Sequence, residues 1–81
     1  MDAVRRVQLD CRRMLCPMPV IKVQNQAAEL EAGDEIEAIC TDPGALNDIP
    51  SWSRINGHKV LETRTDGDEY IVVVAIGEEA D

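Results

Sequence analysis

Cys16-Pro17-Met18-Pro19 is the stretch of this chain whose residue types and spacing best suit chemistry. Downstream of it, Val20, Val23, Ala27 and Leu30 fall at three- and four-residue intervals with Lys22, Gln24, Gln26 and Glu29 between them. That spacing predicts an amphipathic helix over about Pro17 to Glu31, stopped by Gly33, with Cys16 at its N-cap. A thiol so placed faces free backbone amides and the positive end of the helix dipole, both of which favour the nucleophilic thiolate. Prolines suit a first turn, whose amides have no intrahelical partner. Since Pro17 and Pro19 lack amide hydrogens, Met18 and Val20 are the candidate donors to the sulfur, and the prolines fix the loop so that the sulfur projects outward. Arg12 and Arg13 are candidates for added positive potential. A reactive Cys16 is the favoured reading, and a purely structural Cys16 is the alternative.

The other chemistry-bearing residues are sparse. Cys11 and Cys40 complete an odd set of three cysteines with no regular spacing and no C-x-x-C pair, which argues against a disulfide framework. With His58 distant in sequence, no zinc pattern forms, and neither metal nor cofactor is expected. Cys11 reads as a passive side chain and Cys40, among apolar residues, as core. His58 in a turn reads as solvent-exposed or capping rather than as a base. No general base stands out.

Composition narrows the classes. Across 81 residues, 8 Lys+Arg stand against 16 Asp+Glu, for a net charge of −8. Neutralising phosphates takes clustered Lys and Arg, so direct nucleic-acid binding is not expected; the acidity suits protein partners with basic patches or, equally, only keeps a small protein in solution. The longest apolar run, Tyr70 to Ile76, is far short of the ~20 residues of a membrane helix, and the N-terminus lacks the pattern of a signal peptide. The expected location is the cytoplasm. Phe is absent, so the core must be aliphatic.

The positioning elements follow from periodicity. Val4 to Leu9, ending at Asp10, reads as a first strand at a sheet edge, and Glu35 to Thr41 as a second strand. Asp42-Pro43-Gly44 supplies turn chemistry before a helix from about Leu46 to Ile55, in which Pro50 must occupy the first turn or split the helix. Lys59 to Thr65 and Glu69 to Ile76 flank Asp66-Gly67-Asp68, a hairpin signature. The order βαβαββ implies a parallel pair with a right-handed crossover plus an antiparallel hairpin: an α/β two-layer sandwich, with both helices on one face of a four-stranded mixed sheet. The last strand is apolar on both sides and so belongs in the centre of the sheet, or else meets a partner. Asp10 is read as shaping the Cys16 loop or ending the strand, Asp42 and Asp48 as turn and N-cap residues, and Trp52 as core packing or a rim anchor.

These residues resemble a known family. Leu9-Asp10-Cys11-Arg12-Arg13-Met14-Leu15-Cys16-Pro17-Met18-Pro19 is similar to the opening pattern Leu-Asp-x-Arg-Gly-Leu-x-Cys-Pro-x-Pro of the small bacterial and archaeal sulfur carriers called TusA or SirA-like proteins. Thr41-Asp42-Pro43, Asp48-Ile49-Pro50-Ser51-Trp52 and Gly57-His58 match later family patterns in the right order, so the similarity runs from about Gln8 to Ile76. The resemblance implies one TusA-like domain over residues 1–81, with a core of about 4–76 and an acidic tail of 77–81. It implies a fold like the C-terminal domain of translation initiation factor three. It also implies that Cys16 is the sulfur-carrying residue of a sulfurtransferase, taking a sulfane sulfur as a persulfide from a cysteine desulfurase or a rhodanese and passing it to a downstream relay protein. Asp42 and Asp48, by the same resemblance, help order the surface beside the cysteine. Two substitutions depart from the pattern. Arg13 replaces Gly, which carries a cost of about 1 kcal/mol or more if φ is positive there; Met14 replaces Leu, a volume-conserving change.

The end of the relay is left open by the sequence: wobble-uridine 2-thiolation of tRNA, cytoplasmic sulfur oxidation, molybdenum cofactor synthesis and selenium metabolism all fit. Two other function classes compete, a redox-sensing regulator that links Cys16 to Cys11 and an RNA-binding module. A monomer is expected in solution.

Overall fold

The computed structural model describes residues 4–77. Its elements are β1 (Arg6–Cys11), α1 (Met18–Ala27), β2 (Glu35–Cys40), α2 (Ala45–Ile55), β3 (Lys59–Asp66) and β4 (Glu69–Ala75), in the expected βαβαββ order. The sheet order is β1-β2-β4-β3. β1 and β2 are parallel, with Cys11 beside Cys40, and β2–β4 and β3–β4 are antiparallel. β1 is an edge strand, and the doubly apolar β4 is central.

Alternation divides the sheet into two unlike faces. Leu9, Cys11, Ile36, Ala38, Cys40, Val72 and Val74 form one face and pack with Val23 of α1 and with Ala45 and Ile49 of α2 into the core. The opposite face carries no helix, yet Ile71 is only 4% exposed and Val73 0%. Their cover is a chain of charged side chains from the flanking strands. Arg64, opposite Ile71, donates to Glu62 at 2.6 Å on its own strand and to Glu37 on β2 at 3.2 Å, and both glutamates lie in register with Val73. Their aliphatic stems shield the valine and isoleucine while the charges stay in water. Thus the apolar back of β4 is satisfied within the chain.

Element boundaries differ from the sequence reading in instructive ways. β1 runs two residues further along, to Cys11, because pairing with β2 rather than local alternation sets its length. α1 ends at Ala27: Glu29 and Leu30 donate to the carbonyls three residues earlier, so the last apolar positions lie in tightened turns before Gly33 at φ +94°. Pro50 neither occupies the first turn of α2 nor splits it. It sits inside an unbroken helix, buried beside Ile49 and Ser53, so packing on β4 and β3 overrides the local cost of the missing amide. The buried Ser53 hydroxyl donates back to the Ile49 carbonyl at 2.8 Å. At the other end, Gly77 does not belong to a free tail. Its N–H donates to His58 Nδ1 at 3.1 Å, and the rest of the expected acidic tail, 78–81, lies outside the described residues.

Candidate functional site

The loop between β1 and α1 delivers Cys16 to the surface, and three side-chain contacts hold that loop. Asp10 accepts from the Arg12 amide at 3.0 Å, closing the turn as the strand ends. Arg13 follows at φ +66°, a left-handed conformation, and its amide donates to Thr41 Oγ1 at 2.7 Å across the end of β2. The Cys16 amide then donates to Asp42 Oδ2 at 3.0 Å, while Oδ1 of the same carboxylate accepts from Gly44 N–H at 3.0 Å. Asp42 therefore ties the cysteine loop to the start of α2. These backbone bonds hold its carboxyl below the usual carboxylate range.

Cys16 is not the N-cap. α1 begins at Met18 with Pro17 in the capping position, and the Met18 amide is spent on the Leu15 carbonyl at 2.9 Å. The sulfur instead meets a carboxylate: Cys16 Sγ lies 2.7 Å from Asp48 Oδ2 and donates to it. This bond, followed by loss of solvation and the charges of Asp48 and Asp42, raises the thiol above its ordinary value. The expectation of a helix-stabilised thiolate is thereby corrected, because the dipole's influence ends within a turn whereas a touching carboxylate favours the protonated thiol directly.

The arginines point elsewhere. Arg12 donates to both oxygens of Asp10, at 2.9 and 3.2 Å, and reaches Glu69 at 3.6 Å. The hydrogen bonds from its side chain and its amide lower the Asp10 carboxyl to about 2. The exposed Arg13 side chain makes no hydrogen bond or ion pair among the described residues. The surroundings of the sulfur are acidic, not basic. Pro17 is exposed at the helix start, and Pro19 is buried against the core side of α1. Lys22, which the sequence reading passed over, donates from Nζ to the Asp10 carbonyl at 2.6 Å and so occupies an acceptor near the end of edge strand β1.

The remaining cysteines separate cleanly. Cys16 is exposed, whereas Cys11 and Cys40 are 0% exposed in the core. Cys11 pairs in register with Cys40 rather than approaching the surface. The neighbouring Cys11 thiol, together with burial, raises the Cys40 thiol far above its ordinary range. His58 is buried rather than exposed. It packs on Trp52 with ring centroids 4.8 Å apart and accepts from Gly77, and burial lowers its pKa. No cluster of potential ligands for a metal ion occurs among the described residues, and no helix among them is long and apolar enough to cross a membrane.

A four-stranded α/β sandwich that lifts one exposed thiol out of a proline-flanked loop, and keeps its other thiols in the core, defines a class of small thiol proteins. Comparison with known proteins narrows the class: the family model described as sulfurtransferase TusA matches residues 7–76, and the chain belongs to this TusA, or SirA-like, family of sulfur carriers. It is 42% identical to YrkI of Bacillus subtilis over 60 residues, which cover 74% of this chain and 80% of that protein. To the sulfur carrier protein TusA of Pseudomonas entomophila it is 31% identical over 70 residues, 86% of this chain and 88% of the relative. The fold is shared with the crystal structure of a SirA-like protein from Desulfitobacterium hafniense, with a TM-score of 0.78 at 24% identity, covering 89% of this chain and 99% of that one.

Proposed function

We propose that Cys16 is the residue on which this sulfur carrier holds its cargo, as a persulfide received from a cysteine desulfurase or a rhodanese and relayed to a downstream acceptor protein. The observation that carries the reading is the partition of the thiols, with Cys16 exposed and Cys11 and Cys40 wholly buried. A sulfur atom passed between proteins requires a thiol that a second protein can touch, and nucleophilic exchange at sulfur needs open approach along the S–S axis. Leu15, 76% exposed, and Met18, 49% exposed, flank the sulfur as apolar ground on which a partner can seat. Donor and acceptor proteins, rather than this chain, then hold any nucleic acid, in keeping with the net charge of −8. The relay ends in wobble-uridine 2-thiolation of tRNA or in sulfur oxidation, in the cytoplasm, with the carrier a monomer. Burial of Cys11 speaks against a Cys11–Cys16 redox switch.

The test is intact-protein mass with peptide mapping after incubation with a cysteine desulfurase and cysteine. Sulfur addition that is confined to Cys16 and released by a thiol reductant supports the reading. Normal loading of Cys16→Ser refutes it.

A further inference from the structure

Among the described residues the thiol of Cys16 has one polar side-chain partner, the carboxylate of Asp48. Two carboxylates face the cysteine, and they are differently employed. Asp42, on the loop after β2, has both oxygens taken by the Cys16 and Gly44 amides. Asp48, in the first turns of α2, directs Oδ2 at Sγ from 2.7 Å and makes no other side-chain hydrogen bond or ion pair among the described residues. Among the described residues no basic side chain hydrogen-bonds the sulfur, and Arg12 is engaged by Asp10 and Glu69. Gly44 stands beside both acids, where an added Cβ would lie 3.4 Å from Asp42 Oδ1 and 3.7 Å from Asp48 Oδ2.

Resting on the proposal that Cys16 carries the sulfur, we infer that Asp48 is a further catalytic residue, the proton carrier for loading and unloading Cys16. In loading, Sγ attacks the outer sulfur of a donor persulfide, R–S–SH, and the Cys16 S–H proton passes to Asp48 Oδ2 as the new S–S bond forms. The donor's S–S bond breaks, its inner sulfur leaves with the electron pair, and Asp48 returns the proton to that thiolate. The balance is Cys16–SH + R–S–SH → Cys16–S–SH + R–SH, with the sulfane sulfur moved at constant oxidation level. In unloading, a nucleophile takes the outer sulfur, Sγ becomes the leaving group, and the proton returns to it through Asp48. A carboxylate that restrains the resting thiol thus aids both directions of transfer, since each direction expels a thiolate that must be protonated.

Alkylation separates this role from a passive one, because iodide needs no proton on leaving. Wild type, Asp48→Asn and Asp48→Glu are compared in three reactions, with folding verified by circular dichroism. The reactions are alkylation by iodoacetamide, loading from glutathione persulfide followed by mass, and unloading into cyanide followed as thiocyanate, CN⁻ + Cys16–S–SH → SCN⁻ + Cys16–SH. The expected pattern for Asp48→Asn is opposite in sign: alkylation at pH 7 several-fold faster, as the thiol is freed from its acidic neighbour, but loading and unloading slower by about tenfold or more. Asp48→Glu retains more of the transfer rate than Asp48→Asn. Asp48→Asn loading and unloading as fast as wild type, or faster in parallel with alkylation, overturns the role of Asp48 while leaving the carrier reading intact. Normal loading of Cys16→Ser in the same assay overturns the carrier reading itself, and the inference falls with it.

Discussion

Replacing Arg13 by Gly should stabilise the protein, even though it removes an arginine and adds the most flexible residue. Arg13 holds φ at +66°, where an L side chain crowds the neighbouring carbonyl at a cost of about 1–2 kcal/mol, and its amide is anchored there by Thr41 Oγ1 at 2.7 Å. Glycine relieves that crowding but gives the unfolded chain extra freedom, which offsets about 0.5–1 kcal/mol. The exposed side chain itself makes no hydrogen bond or ion pair among the described residues. The net gain is about 0.5–1 kcal/mol, or a rise in Tm of roughly 3–6 °C for a chain of this size. Arg13→Ala is the control, since alanine keeps a Cβ at the same positive φ and should gain nothing. Reversible thermal melts followed by circular dichroism measure both. If Arg13→Gly melts no higher than Arg13→Ala, the strain assigned to this position is absent and the reasoning fails.

Gly77→Ala should have the opposite effect. A Cβ there would fall 1.8 Å from the Gly57 carbonyl oxygen, so backbone must move and the Gly77–His58 hydrogen bond is disturbed; a loss of about 2 kcal/mol, lowering Tm by roughly 10 °C, is expected from melts of the variant. His58 should make stability depend on pH. Its folded pKa lies below the ordinary value because burial disfavours the imidazolium, so at mildly acidic pH the unfolded state binds the extra proton. The contribution is complete above about 6.5 and is lost as pH falls through that value toward the folded pKa. Urea titrations between pH 5 and 8 should show this slope, and His58→Gln should remove it; an unchanged slope would assign it to other groups.

The open face of the sheet illustrates how charge and burial cooperate in a small acidic chain. Arg64 is one of few basic residues, and it is placed where two glutamates converge over β4. Each exposed pair contributes little by itself. Their value lies in covering Ile71 and Val73, which otherwise would present an apolar surface to other chains.

What the sequence determined by itself was the order of elements, the parallel β1–β2 pair, the central place of β4 and the singular character of Cys16. These follow from short-range periodicity and from turn residues such as Gly67 in the β3–β4 hairpin, which adopts φ +62°. The positive φ at Arg13 was also foreshadowed, by the glycine that occupies its place in the family pattern. What only the tertiary structure decided was the electrostatics of the sulfur. Asp48 lies 32 residues from Cys16 and reaches it because α2 starts beside the loop that leads into α1. The dipole of the helix that follows Cys16 is a local feature of the chain, whereas the carboxylate is brought by the other helix. The burial of Cys11 has the same origin. Its neighbours in sequence left it open to approach Cys16, and the strand parity imposed by pairing with β2 turned it into the core beside Cys40. Periodicity is a property of neighbours along the chain, whereas the proton affinity of a thiol depends on whichever charges the fold brings within contact distance.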